Sequence, residues 1–210
     1  MVDTRESPRH GRTRERILRT ALALFNEQGE ANVTLAHIGT ALGISEGNVW
    51  YHFHTKRELV AALFDELQGR IGAVQQIDLE RLQTLTDIER LLEQGFRLMW
   101  EYRFLFRDHI RWTVGLPEVH HRLVELVGEG HAFIERILAR LEELGVIRLT
   151  PDERSSLATN IWIVDRYWID YCQLRGPGGA ITEEAVRAGA RQILALVTPY
   201  LTERRGTGPG

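Results

Sequence analysis

The N-terminal fold of this chain is decided by the stretch Thr34-Leu35-Ala36-His37-Ile38-Gly39-Thr40-Ala41-Leu42-Gly43-Ile44-Ser45-Glu46-Gly47-Asn48-Val49-Trp50-Tyr51-His52-Phe53. Thr34 and Ser45 are residue types that cap helix N-termini, and apolar residues follow each of them at helical spacing. Gly43 ends the first of these short helices, and only Gly43-Ile44 separates it from the second. A small residue, Gly39, stands where the two helices would cross. This layout predicts a helix-turn-helix motif.

The predicted motif is flanked by two further helices. The preceding helix ends near Gly29 and carries one apolar stripe: Ile17, Leu18, Ala21, Leu22 and Phe25. The following helix begins at the capping box Thr55-Lys56-Arg57-Glu58 and continues past Leu67.

The helix that follows Ser45 has a buried face and a polar-aromatic face. At 100° per residue, Val49 and Phe53 share one side, and Gly47, Asn48 and Tyr51 point the opposite way, with Trp50 and His52 beside them. An asparagine amide reads an adenine edge, and Tyr, His and Trp donate to phosphate. Lys56 follows, where its ammonium would pair with a phosphate. The face therefore fits the DNA major groove, although such helix clusters also occur in proteins that bind no DNA, where exposed aromatic residues contact other partners.

The formal charge of the 210-residue chain is −3, which argues against a uniformly basic nucleic-acid coat but not against one basic surface. Residues 1–60 carry a net charge of +1 and the remainder −4. Of 26 basic residues only Lys56 is a lysine. A basic segment therefore precedes a mildly acidic body.

The remaining sequence is helical in pattern and predicts an all-α protein of about nine helices. Helix starts are expected at the capping box Thr86-Asp87-Ile88-Glu89, at Pro117, at Thr150-Pro151-Asp152-Glu153 and at Thr182-Glu183-Glu184. These helices are predicted to run to Trp100, Leu144, Leu174 and Leu201.

Several function classes are not supported by the sequence. The single cysteine, Cys172, builds neither a disulfide nor a cysteine-rich zinc site, and no secretory or membrane-spanning segment is present. Adjacent histidines such as His120 and His121 point about 100° apart on a helix, so a metal site with His109 or His131 is not expected. No catalytic signature stands out. We expect a soluble cytoplasmic protein, not an enzyme, with no cofactor and no metal.

The stretch quoted above, with Lys56-Arg57-Glu58-Leu59, resembles the DNA-binding domain of the TetR family of bacterial transcriptional regulators over about residues 13–65. The resemblance implies an all-α homodimer. Its N-terminal domain would dock on a palindromic operator, and its larger C-terminal domain would dimerise and often bind a small inducer. The implied DNA-binding residues are Thr34, Ser45, Gly47, Asn48, Trp50, Tyr51, His52 and Lys56. Tyrosine is commoner in the family at the position of Trp50, whose indole N–H could replace the phenol.

The expected domain organisation has four parts. Residues 1–12 form a basic flexible arm that contacts the minor groove or phosphates, residues 13–58 the helix-turn-helix domain, residues 59–203 the ligand-binding and dimerisation domain, and residues 204–210 a disordered tail.

Two surfaces are expected in the C-terminal domain. Aromatic residues with a few polar anchors suit a pocket for an apolar or aromatic ligand: Trp100, Phe104, His109, Trp112, Trp162, Asp165 and Trp168. Ordinary core and dimer packing is the alternative, with Asp165 and Asp170 paired to Arg166 or facing solvent. The last two helices would pair across a two-fold axis through Gly189, Ile193, Leu196, Val197 and Tyr200, a stripe that a monomer could also bury.

These observations predict a dimeric repressor that a small inducer releases from operator DNA. The inducer would favour an arrangement in which the two recognition helices no longer match a half-site spacing of about 34–36 Å, with the helix after Thr55 as the lever. Two alternatives remain open: an activator or nucleoid-associated protein without an inducer, and a ligand-binding or interaction protein that no longer binds DNA.

Overall fold

A computed structural model of the chain describes residues 8–107, 117–176 and 180–202. Within these ranges the fold is built from α-helices, short 3-10 turns and one isolated bridge between Ile147 and Leu201. The prediction of an all-α fold is confirmed. The helices are α1 (Pro8–Gln28), α2 (Leu35–Leu42), α3 (Glu46–His52), α4 (Lys56–Gln75), α5 (Leu85–Glu101), α6 (Arg103–Arg107), α7 (Pro117–Glu143), α8 (Pro151–Arg175), α9 (Glu183–Arg187) and α10 (Gly189–Val197).

The described residues form two compact units. The first contains residues 8–69 and 102–107, and the second contains residues 70–101, 117–176 and 180–202. The chain passes from the first unit to the second within α4. The first unit thus takes in residues 59–69 and α6, beyond the helix-turn-helix segment 13–58 that the sequence predicts.

The turn between α2 and α3 has the geometry that the sequence predicts. Thr34 Oγ1 accepts a hydrogen bond from His37 N (3.2 Å), and Ser45 Oγ accepts one from Asn48 N (3.2 Å). Gly43 has a φ of 68°, a left-handed conformation that glycine adopts without strain. A Cβ on Gly39 would lie 2.9 Å from the carbonyl oxygen of Ile44, so the helices approach closely there because Gly39 has no side chain.

α6 packs against the end of α1 within the first unit. The N–H of Phe104 donates to Asn26 Oδ1 (3.1 Å), so Asn26 satisfies a donor at the N-terminus of α6. The rings of Phe25 and Phe104 lie 5.2 Å apart, and both side chains are fully buried. Arg107 donates to the carbonyl oxygen of Phe25 (3.3 Å). These contacts make α6 part of the core of the helix-turn-helix unit.

Lys56 ties the start of α4 to the connection between α1 and α2. Its ammonium donates to the carbonyl oxygens of Glu30 (2.8 Å) and Val33 (3.0 Å) and forms an ion pair with Glu30 Oε1 (3.1 Å). We call this arrangement the Lys56 clamp. An ammonium has three donors, and the clamp supplies three acceptors. The Glu30 side chain is only 6% exposed, so its carboxylate depends on a charged partner in place of water.

In the second unit, α8 packs against α7 on one side and against α10 on the other, while α5 contacts α9 and α10. Trp168 Nε1 donates to the carbonyl oxygen of Ala185 (2.9 Å), which joins α8 to α9. The core of this unit is formed by Ile88, Leu91, Phe96, Met99, Leu138, Leu141, Leu157, Ile161, Ile169, Val186, Ile193 and Val197.

Three predicted boundaries require correction. α1 begins at Pro8, so residues 8–12 of the expected flexible arm are helical. α5 begins at Leu85 because Thr84 and Asp87 form its cap: Thr84 Oγ1 accepts from Asp87 N (3.2 Å), and Asp87 accepts from Thr84 N (2.9 Å). The capping box predicted at Thr86 is therefore wrong by two residues. The last predicted helix is interrupted at Ala188 and ends at Val197, where a 3-10 turn that contains Pro199 follows.

Loss of the Lys56 clamp should destabilise the first unit. Lys56→Ala removes an ion pair with the buried Glu30 carboxylate and two hydrogen bonds to carbonyl oxygens, and we expect it to lower the free energy of unfolding by about 2 kcal/mol. Glu30→Gln should lower the free energy of unfolding by a smaller amount, because both carbonyl acceptors of the ammonium remain. Arg57→Ala removes the same charge from the exposed neighbouring position and serves as the control. Urea unfolding followed by circular dichroism measures the series. Equal losses for Lys56→Ala and Arg57→Ala would contradict a structural role for the clamp.

Gly39 is the second stability test in this unit. Gly39→Ala should lower the melting temperature, because its Cβ meets the backbone oxygen of Ile44 and the two helices must separate. Gly69→Ala in α4 is the matched control: no atom lies within 4 Å of its added Cβ, and alanine favours the helix by about 1 kcal/mol. The melting temperature should thus fall for Gly39→Ala and rise for Gly69→Ala. A Gly39→Ala variant as stable as wild type would refute the close approach.

Candidate functional site

The exposed face of α3 is the candidate nucleic-acid interface. Gly47 and Asn48 are exposed, and Trp50 and Tyr51 are 55% and 66% exposed, which is unusual for large aromatic side chains. Val49 is fully buried on the other side. The structure thus places the polar-aromatic residues together on the surface.

The aromatic rings on this face contact neighbouring side chains. The ring of Trp50 lies 4.5 Å from that of His54, and the ring of Tyr51 meets that of half-buried His52 edge to face at 5.5 Å. Such contacts restrict the rotamers of the exposed rings and so reduce the entropy that they would lose on binding.

Thr34 and Ser45 lie at the N-termini of α2 and α3, where their hydroxyl oxygens accept the capping bonds described above. Each hydroxyl keeps its own proton for another acceptor, such as a phosphate oxygen. The positive ends of the two helix dipoles lie at the same places. Both residues therefore suit phosphate contacts while they cap their helices.

Lys56 differs from the simple picture of an open phosphate-binding lysine. Its ammonium is held in the Lys56 clamp, and 28% of the side chain remains exposed. No pattern in the sequence marks Glu30 as its partner. A buried glutamate has no sequence signature of its own, because isolated acidic residues are normally solvated.

Arg14 is a further cation beside this surface that the sequence analysis did not single out. Its guanidinium lies 4.9 Å above the ring of Phe53, the residue that ends α3. A cation over an aromatic face is held at a defined place. Arg14 therefore adds positive charge at the C-terminal end of α3.

Four of the residues expected to line a ligand pocket lie in the second unit. Trp162, Asp165 and Trp168 are half-buried on α8, and Trp162 faces Gly130 of α7. Burial raises the pKa of the Asp165 carboxyl to about 6, and the charge of Arg166 opposes that rise only in part. Trp100 is half-buried on α5 of the same unit.

The prediction that Phe104 lines the ligand pocket requires correction. Phe104 lies in the first unit, buried against Phe25 of α1. Its spacing from Trp100 suggested a shared helix, but the chain leaves α5 at Glu101 and α6 packs elsewhere. His109 and Trp112 lie outside the described residues.

The residues expected at the dimer interface are divided between two environments. Gly189, Ile193 and Val197 are buried within the subunit, and Gly189 lies directly against Phe96 and Trp168. Leu196 and Tyr200 are half-buried. The prediction that Gly189, Ile193 and Val197 form the dimer interface requires correction, because the subunit itself covers the apolar stripe of α10.

A different apolar stripe is open on α8. Its members recur every three or four residues and are 45–87% exposed: Ile163, Tyr167, Tyr171 and Leu174. The opposite side of the same helix is buried through Leu157, Ile161 and Ile169. α8 therefore has two apolar faces, a pattern that makes a helix look buried all round in sequence.

Within the part of the chain that the structure describes, no helix is long and apolar enough to cross a membrane. The described His, Cys, Asp and Glu side chains form no group of three that could hold a metal ion. The side chains of His120 and His121 are not among those described.

Comparison with known proteins places the chain in a family. A family model described as bacterial regulatory proteins of the tetR family matches residues 17–63, and one described as a bacterial transcriptional repressor matches residues 65–207. A solved TetR-family regulator from Marinobacter aquaeolei VT8 is 34% identical, with 91% of this chain and 92% of that chain covered and a TM-score of 0.83.

Two curated proteins and a second solved structure add to this. The repressor KstR2 of Rhodococcus jostii is 26% identical over 203 residues, 91% of each chain. The regulator TtgR of Pseudomonas putida is 42% identical over 55 residues, so the match spans only 26% of that relative's length. The complex of SmeT with triclosan shares the fold at 23% identity and a TM-score of 0.58, with 92% of this chain and 93% of that chain covered.

Members of this family are transcriptional regulators and not enzymes, and they bind operator DNA through the motif seen here in α2 and α3. The two family models together cover residues 17–63 and 65–207. The chain therefore belongs to the TetR family of bacterial transcriptional repressors.

Proposed function

We propose that this chain is a homodimeric repressor that reads a palindromic operator through α3 and is released from it by an organic ligand bound in the second unit. The observation that carries the proposal is the exposed polar-aromatic face of α3, supported by the tight turn at Gly43, by the close approach at Gly39 and by the Lys56 clamp. We expect the protein in the cytoplasm, where operator DNA lies.

Each residue of this face has a distinct task in the proposed complex. Asn48 reads a base edge in the major groove, and Gly47 lets the backbone approach the DNA closely. Tyr51, Trp50 and His52 donate to phosphates, as do Thr34 and Ser45 at the helix N-termini. Lys56 holds the start of α4 in place through its clamp, and the exposed part of its side chain attracts a nearby phosphate.

The open stripe of α8 is the proposed dimer face. Two copies of Ile163, Tyr167, Tyr171 and Leu174 would pack across a two-fold axis and remove these side chains from water. The tyrosines suit this position because their rings pack while their hydroxyls reach the rim. Leu196 and Tyr200, which are half-buried in the same unit, remain proposed members of the dimer interface.

Ligand binding is proposed to act through α4. This helix begins at the Lys56 clamp, continues through Gly69 and Arg70, and ends in the second unit at Gln75. A ligand that favours one arrangement of the second unit would thereby bias the position of α3 relative to its counterpart in the dimer. SmeT, which shares this fold, has been solved with triclosan, and this supports a pocket for an organic molecule.

DNA reading is tested with an operator selected from random duplexes by the purified protein. Asn48→Ala should relax discrimination at one base position by about 5- to 150-fold, because one good base contact contributes about 1–3 kcal/mol. Lys56→Ala should instead weaken binding to all sequences alike. Gel shifts at several salt concentrations separate these effects, with Gln192→Ala as the control for loss of an exposed amide outside the first unit. If Asn48→Ala selects the same operator with unchanged affinity, α3 is not the reading element.

A charged substitution on the open stripe of α8 tests the proposed dimer face. Tyr167→Glu should shift the protein to monomers, because two copies of the glutamate would meet in an apolar interface. Ser155→Glu adds the same charge to an exposed position on another side of α8 and should leave the dimer intact. Sedimentation velocity measures both variants. A dimeric Tyr167→Glu protein with wild-type dissociation would place the interface elsewhere.

A further inference from the structure

We propose that the ligand site of the second unit is built for an organic cation, which Asp165 attracts from the buried face of α8 while Trp162 and Trp168 contact its apolar part. The inference rests on the proposed ligand-responsive function and specifies the chemical class of the ligand.

Asp165 stands where an apolar residue would be expected. Ile161 and Ile169 lie one helical turn before and after it, and they are 6% and 0% exposed. Residues four apart lie on the same side of a helix. Cys172, at 6% exposure, continues this buried side. A carboxyl group therefore interrupts an otherwise apolar stripe in the middle of the subunit.

The surroundings of Asp165 do not neutralise its charge. Among the described residues, no side chain forms a hydrogen bond or an ion pair with its carboxylate. Burial lowers the pKa of the Arg166 guanidinium, and the charges of Asp170, Tyr167 and Asp165, in that order, oppose this fall. This guanidinium lies 5.8 Å from the centroid of the Tyr167 ring.

Asp165 is enclosed but still accessible. Burial among protein atoms raises the pKa of its carboxyl to about 6, yet the residue keeps accessible surface. The carboxyl group therefore lies in a largely apolar environment that leaves part of the residue accessible. At neutral pH most of these carboxyls are ionised, and a bound cation would restore the interaction that water provides in the unfolded chain.

Two indoles flank this carboxyl. Trp162 and Trp168 lie three residues before and after Asp165, so both border the same side of α8. Trp168 is held by its hydrogen bond to the carbonyl oxygen of Ala185 and by stacking on Tyr171 at 5.1 Å. Trp162 is held between Gly130 and the edge of Tyr167.

Indole faces attract cations more strongly than other aromatic rings do, and aromatic rings beside a carboxylate suit quaternary ammonium groups and protonated amines. Anionic ligands are disfavoured at this site, because a second buried negative charge would repel Asp165. A neutral apolar ligand of the same shape would leave the carboxylate without a partner. The site therefore favours a cationic head on an apolar body.

The test compares two probes of nearly equal shape. Benzyltrimethylammonium carries a positive charge, and neopentylbenzene has a carbon atom in place of the nitrogen. We expect the wild-type dimer to bind the cation with a dissociation constant of about 1 mM or lower and about tenfold or more tightly than the neutral probe. Titration calorimetry and quenching of tryptophan fluorescence measure both affinities. Equal affinities, or no binding of the cation at millimolar concentration, would overturn the proposal.

Asp165→Asn removes the carboxylate charge proposed to attract the cation and changes the shape of the side chain little. This variant should lose the preference for the cation and bind both probes with similar affinity. Asp170→Asn removes a half-buried carboxylate from another side of the same helix and should keep the wild-type preference. Circular dichroism and sedimentation show whether the variants retain the fold and the dimer. An unchanged preference in a folded Asp165→Asn protein would overturn the proposal.

Operator release separates this inference from the proposed function. If the cation binds in an Asp165-dependent way but does not release the operator, the site assignment stands and the release mechanism is wrong. If the protein binds both probes with equal affinity while operator binding is intact, the cation site is wrong and the DNA-binding function stands.

Discussion

The Lys56 clamp is the interaction on which the arrangement of the first unit depends. One ammonium at the start of α4 satisfies two carbonyl oxygens of the connection between α1 and α2 and the carboxylate of Glu30. Because Glu30 is buried, the lysine and the carboxylate require each other. The clamp fixes where the chain turns from α1 into α2, and hence where α3 lies. The lysine that the sequence marks as a candidate DNA contact is thus a structural residue. Its proposed phosphate contact would join stability to DNA binding in one side chain.

α8 organises the second unit in a comparable way. One side of this helix supplies core residues together with Asp165, and the other exposes Ile163, Tyr167, Tyr171 and Leu174. A single helix therefore connects the proposed cation site with the proposed dimer face. A ligand that moved α8 would alter both the pocket and the pairing of subunits, so the α4 lever need not be the only route by which binding reaches the DNA-binding units. The two proposed functions would use different apolar sides of one helix.

Local sequence signals predicted the elements well and their environments less well. The caps at Thr34, Ser45, Thr150 and Thr182 are all present, because a cap depends only on residues within one turn. The cap of α5 was misplaced because two overlapping Thr-x-x-acid patterns compete there, and Asp87 accepts bonds from both Gln83 and Thr84. Phe104 was assigned to the wrong unit because aromatic spacing does not show where a helix ends and which partner the next one meets. The stripe of α10 resembles an interface in sequence, because periodicity identifies an apolar face without identifying what covers it.

The amino-acid sequence by itself determined that the protein is all-α, that a helix-turn-helix motif lies near its N-terminus, and that Gly47, Asn48, Trp50 and Tyr51 share one face of α3. These properties follow from spacing, capping and helical geometry, which act over a few residues. Only the tertiary structure decided that Lys56 binds Glu30, that α6 joins the first unit, and that α8 rather than α10 leaves an apolar stripe open. Each of these depends on contacts between residues far apart in the chain, and no local pattern encodes which buried partner a charge or an apolar face will find.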